Sequence, residues 1–132
     1  MEEWVFALLI ALPGPTPKQA ETLSIAIAEA ADGDKRLAAE LVALGHLESG
    51  YIDRIQEGKC RKHECDKGRA RSWWQFQRNS YSRDAWETSV GLDYEAVLEA
   101  SVVAARILRA GHRACGTISG ALSYYAVGHC GW

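Results

Sequence analysis

Asp34-Lys-Arg-Leu37-Ala-Ala-Glu40-Leu41-Val-Ala-Leu44-Gly-His46-Leu47-Glu48-Ser49-Gly50-Tyr51 is the stretch whose reading decides the fold. Leu37, Leu41 and Leu44 recur at i, i+4 and i+7, the stripe of a core-facing α-helix over residues 35–48, and Asp34 is the expected N-cap. Continuing the stripe by four residues reaches Glu48. At about 100° per residue its side chain lies roughly 20° from Leu37 around the helix axis, on the apolar side. It also stands at the helix C-terminus, where the peptide dipoles disfavour negative charge. Desolvation and the dipole both raise a carboxyl pKa, which a general acid working near neutral pH requires. A helix-end glutamate turned to water or bonded to an arginine is the ordinary alternative.

Working outward, residues 4–12 form an apolar run too short to cross a bilayer. Glu2 and Glu3 precede it where a secretory signal needs positive charge, so no signal peptide is recognised and the run is expected to be a core-packed first helix ended by Pro13-Gly14-Pro15. Thr16 as N-cap and Pro17 at the first helical position predict a second helix over 17–31 carrying Leu23, Ile25, Ala26 and Ile27, broken by Asp32-Gly33-Asp34. From residue 50 to 71 helical periodicity disappears, which predicts a small twisted hairpin or loop lobe. A long helix over 93–112 follows. Tyr94, Val97, Leu98, Ala105 and Leu108 form one face, and Val102, Val103 and Ile107 widen it almost all the way round, as for a buried central helix. A last helix over 117–127 completes a mainly α domain, with one β-like excursion, that spans 1–132 as a single unit.

With 15 basic against 17 acidic residues and a net charge of −2, a grip on nucleic acid or anionic membrane by bulk charge is excluded. The expectation is a monomer with no membrane insertion. Four cysteines in 132 residues point to disulfides and an oxidising destination. Of the three connectivities, the sequence-local one, Cys60–Cys65 and Cys115–Cys130, is favoured because each pair closes a short loop at small entropic cost. The rival is zinc, since His63 lies between Cys60 and Cys65, and His112 and His129 flank the other pair. Neither cluster has the C-x-x-C knuckle of a structural zinc site, so no metal or cofactor is expected.

Leu47-Glu48-Ser49-Gly50-Tyr51 resembles the Glu-Ser motif of the lysozyme-like superfamily, in particular the soluble lytic transglycosylases and goose-type lysozymes. Two further motifs follow in the family's order. Ser72-Trp73-Trp74-Gln75 resembles its Gly-x-x-Gln segment, and Tyr124-Tyr125-Ala126-Val127-Gly128 resembles its late Ala-Tyr-Asn-Ala-Gly segment. Together they cover roughly residues 37–132. Ser72 stands where the family has glycine, and Ala126 where it has asparagine. The resemblance implies a lysozyme-like α+β fold in which Glu48 protonates the glycosidic oxygen of peptidoglycan. It further implies that Tyr125 hydrogen-bonds Glu48 from the last helix, and that Ser49, Gln75 and Tyr124 belong to the substrate-binding surface.

Cleaving a glycosidic bond normally takes two carboxyls. Asp53, Glu57, Glu64 and Asp66 are candidates for the second; by the resemblance Glu57 comes first, because some phage lysozymes place their second acid about this far beyond the first. By the resemblance, a lytic transglycosylase needs only Glu48, acting as acid and then base while the sugar's own 6-hydroxyl attacks the anomeric carbon. Gln75 could bond an N-acetyl or hydroxyl group of the glycan. Trp73 and Trp74 offer flat faces to sugar C–H surfaces, and as neighbours one should line the cleft and the other enter the core. His46, about 200° from Glu48, faces elsewhere. Lys59, Arg61, Lys62, Lys67, Arg69 and Arg71 make the middle lobe locally basic. These readings point to a peptidoglycan-cleaving glycosidase acting on glycan strands outside the cytoplasm, secreted or phage-delivered. A lapsed, lysozyme-like glycan-binding or structural protein is the alternative, and a zinc module a third.

Overall fold

Hydroxyl and carboxylate caps start three of the helices, two of them, at Thr16 and Asp34, where the sequence places them. In a computed structural model that describes residues 1–59, 72–74 and 91–131, six helices follow in order. They are α1 (Glu2–Ile10), α2 (Pro17–Ala31), α3 (Lys35–Ser49), α4 (Asp53–Gln56), α5 (Tyr94–Cys115) and α6 (Ile118–Val127). Thr16 and Gln19 close a reciprocal capping box on α2, the Thr16 hydroxyl accepting from Gln19 N at 3.1 Å and the Gln19 side chain accepting from Thr16 N at 2.6 Å. Asp34 accepts from Leu37 N at 3.0 Å, and Thr117 from Gly120 N at 2.9 Å. The first helix lies two residues nearer the N-terminus than predicted. The long helix runs on to Cys115, where Gly116, at φ 75°, caps it.

The core is helix on helix. Ala20, Leu23, Ala26, Ile27 and Ala30 of α2 are buried with Val97, Ala100, Ala104 and Leu108 of α5. The many alanines let these two backbones approach closely, and α2 and α5 pack along their length. Leu37, Leu41 and Leu44 bury α3 as its stripe predicts, and Val5 and Leu9 seat α1 on the assembly. Two expectations are corrected. Ile25 is 43% exposed, because it falls off the α2 stripe onto the outer face. The long helix α5 is not buried all round: Glu95, Glu99, Arg106 and Arg113 keep a charged strip in water.

Polar ties lock the helix ends. The Arg109 guanidinium donates to the carbonyls of Ala30 and Ala31 at 3.1 and 3.3 Å, closing the end of α2. His112 of α5 meets both carboxylate oxygens of the buried Glu40 on α3, at 2.8 and 2.9 Å. The described residues contain no strand, and the expected hairpin lobe opens instead on the short helix α4. Residues 60–71 lie outside the described part, and with them the expected Cys60–Cys65 bridge. No helix among the described residues is long and apolar enough to cross a membrane.

Cys115 and Cys130 form the expected disulfide, joining the end of α5 to the segment after α6 across a sequence separation of 15. Both sulfurs are thereby withdrawn from any zinc site. A loop of that length predicts that the Cys115→Ser/Cys130→Ser double variant loses about 3 kcal/mol of stability. Urea unfolding should show it as a lower midpoint with the helical signal below the transition retained, and an unchanged midpoint would contradict it.

Candidate active site at the end of the third helix

Helix α3 ends abruptly one residue after Glu48. Gly50 takes the left-handed conformation (φ 62°), and its N–H returns to the carbonyls of Gly45 and His46 at 3.2 and 3.0 Å. Tyr51 is left-handed too, at φ 59°, unusual for a bulky residue. Ser49 supports the reversal: its buried hydroxyl donates to Gly45 O at 3.0 Å and accepts from Tyr51 N at 3.1 Å. The reversal lays the Tyr51 ring back along α3, where its hydroxyl donates to Val42 O at 2.7 Å. Gly45 makes room for it, since a Cβ there would stand 2.4 Å from the phenol oxygen.

Two indoles complete the packing. Trp73 and Trp74 meet the Tyr51 ring edge-on, with centroids 5.7 and 6.4 Å away. Trp74 Nε1 donates to Leu41 O at 2.8 Å and Trp73 Nε1 to Ile52 O at 2.9 Å. The backbone of this pair is held from two sides. Gln56, fully buried on α4, accepts from Trp73 N at 2.8 Å, and Tyr125 of α6 donates its hydroxyl to Trp74 O at 2.7 Å. Residues 41, 45 and 48 share one face of α3 at i, i+4 and i+7. The aromatic layer covers the first two of these.

Glu48 is partly buried, and desolvation pushes its carboxyl from 4.5 up to about 7. Glu40, two turns earlier on the same helix, is more deeply buried and pairs with His112.

The other sequence-predicted residues divide clearly. Trp73 and Trp74 are 1% and 0% exposed, so the expectation that one of them lines a cleft is corrected: both indole N–H groups find backbone carbonyls inside the protein. Ser49 serves the turn with its hydroxyl. Tyr125 is buried beside the indoles, and Tyr124 is half-buried. Asp53 is engaged by the Gln19 amide, and Glu57 lies 3.5 Å from Lys59 Nζ. Gln75, Glu64, Asp66, Cys60 and Cys65 lie outside the described residues. Tyr51, Gln56 and Gln19 were not singled out from sequence. A glycine inside a helical stripe, Gly45, was the available hint that something packs there closely. Shallow grooves elsewhere, one of about 670 Å³ beside Met1, Glu3 and Glu29 and one of about 330 Å³ beside Arg36, Glu40 and His112, are not lined by Glu48.

Because Glu48 holds its proton more tightly folded than unfolded, it costs nothing below pH 4.5 and destabilises the fold increasingly as pH rises through about 7. Glu48→Gln should therefore be more stable than the parent at pH 8, by at most about 3 kcal/mol, with the difference vanishing near pH 4. Paired urea titrations across that range check it, and a pH-independent difference would contradict it. Gly45→Ala should cost about 1–3 kcal/mol by driving Tyr51 off the helix, visible as a lowered melting temperature and altered near-ultraviolet dichroism.

No family model matches the chain, and no curated protein or solved structure is significantly similar to it.

Proposed function

We propose that this chain is a peptidoglycan-cleaving glycosidase of lysozyme-like fold, a single catalytic domain that acts on the β-1,4 bond between N-acetylmuramic acid and N-acetylglucosamine with Glu48 as general acid. The observation that carries the reading is the Glu48 carboxyl itself. It stands at the end of a buried helix, its proton retained to about pH 7 by burial, within the first of three motifs that resemble the lytic transglycosylases in residue and order.

The chemistry follows from that state. The protonated carboxyl gives its proton to the glycosidic oxygen as the bond to the anomeric carbon breaks. The resulting carboxylate then takes a proton from the attacking oxygen. If that oxygen is the sugar's own 6-hydroxyl, the product is a 1,6-anhydro ring and Glu48 suffices. If it is water, the product is a reducing end, and Glu57, half-buried beside Lys59, is the first candidate for the second carboxyl. Tyr125 gives its only hydroxyl proton to Trp74 O, so any bond to Glu48 would have the phenol oxygen accepting from the protonated acid. That polarity suits the acid form. The Cys115–Cys130 bridge supports action outside the cytoplasm.

Glu48→Gln should abolish solubilisation of purified cell walls, by at least about a thousandfold, while the helical signal is unchanged. The parent's activity should fall as pH rises through about 7, where the acid loses its proton. Mass spectrometry of the digest separates the two routes by whether the muramic acid is 1,6-anhydro or reducing. Wall binding by the parent without any cleavage would favour a lapsed glycan-binding protein, and full activity in Glu48→Gln would overturn the assignment.

A further inference from the structure

Gly14 and Gln19 precede helix α3 by a whole element, yet both bear on the turn that follows Glu48. A Cβ at Gly14 would stand 2.2 Å from the carbonyl oxygen of Gly50. That oxygen belongs to the backbone and cannot rotate away, so the loop carrying Gly14 packs directly on the cap of α3. Gln19 commits its amide nitrogen to the same place. Its Oε1 accepts from Thr16 N at 2.6 Å, while its Nε2 donates to Tyr51 O at 3.0 Å and to the Asp53 carboxylate. The residues so tied enclose two successive left-handed positions, the second a tyrosine, and such backbone persists only where its surroundings over-determine it.

We propose that Gln19 is a positioning residue for Glu48, with Gly14 as its close-packed backing: together they hold the Gly50–Tyr51 reversal closed, and so fix the last turn of α3 and the carboxyl on it. This role rests on the reading of Glu48 as the proton donor. It gives a function to residues 14–19, which lie outside the stretch, roughly 37–132, that carries the three motifs. Without the tie, the reversal opens, Tyr51 lifts from Gly45, and water reaches Glu48.

Gln19→Glu tests it, because the variant keeps an oxygen for Thr16 N, and with it the α2 cap, but sets a carboxylate against Tyr51 O and Asp53. Amide exchange at Tyr51, followed by NMR, should accelerate about tenfold or more. The Glu48 carboxyl should titrate at least about half a unit lower than in the parent as it gains water. Adding Asp53→Asn, whose amide can donate to the new carboxylate, should move the titration back toward the parent value. A folded Gln19→Glu protein with unchanged Tyr51 exchange and unchanged Glu48 titration would overturn the proposal. If Gln19→Glu does not fold, the parent decides: Tyr51 N–H should exchange only on global unfolding, and rapid exchange within an otherwise protected α3 would overturn it. Absence of wall cleavage by the parent would count against the enzymatic reading, while the NMR results still decide the role of Gln19.

Discussion

Tyr51 can lie along α3 only because residue 45 has no side chain, and much of the candidate site is arranged around that contact. The ring covers the backbone of the helix and gives both indoles an edge to pack against. Its hydroxyl answers Val42 O while Trp74 answers Leu41 O, so polar groups buried by the reversal find partners inside the protein. Ser49, Gln56 and Tyr125 then hold the backbone of the turn and of the tryptophan pair. The consequence is a dry aromatic layer on one face of α3.

Burial sets the state of the Glu48 carboxyl. A raised titration is free energy stored against the charged form, of the order of 3 kcal/mol for a shift from 4.5 to about 7. The surrounding fold must supply it. Packing of α2 on α5, the closure of α2 by Arg109 and the Glu40–His112 pair anchor α3 at its start. The Gly50–Tyr51 reversal and the Gln19 tie anchor it at its end. The two α3 glutamates differ in environment: Glu40 pairs with His112 and joins two helices, and burial raises the Glu48 carboxyl to about 7.

The sequence foretold what depends on local chemistry. Thr16 with Pro17, and Asp34, announced two helix starts, because a cap needs only its own first turn. The α3 stripe located Glu48 on the buried side before any contact was known. What lay beyond reach came from distant parts of the chain. The adjacent tryptophans looked as though they must divide between core and surface, but each indole found a carbonyl, on residues 52 and 41, and both went inside. Gln19 reads as half of a capping box. Its remaining donor, directed at a turn 32 residues away, has no signature in sequence. Nor does a tyrosine accepting a left-handed backbone. Ile25 and the charged strip of α5 show the lesser limit of periodicity: it marks a buried face and says little about how wide that face is.

The most direct test of this account is the titration of the Glu48 carboxyl carbon in the wild-type protein, followed by carbon-13 NMR and assigned by comparison with Glu48→Gln. A carboxyl dehydrated by burial should show a midpoint of about 7. A midpoint at the ordinary 4.5 would mean that Glu48 is solvated and charged at neutral pH, and the dehydrated acid on which the account is built would not exist.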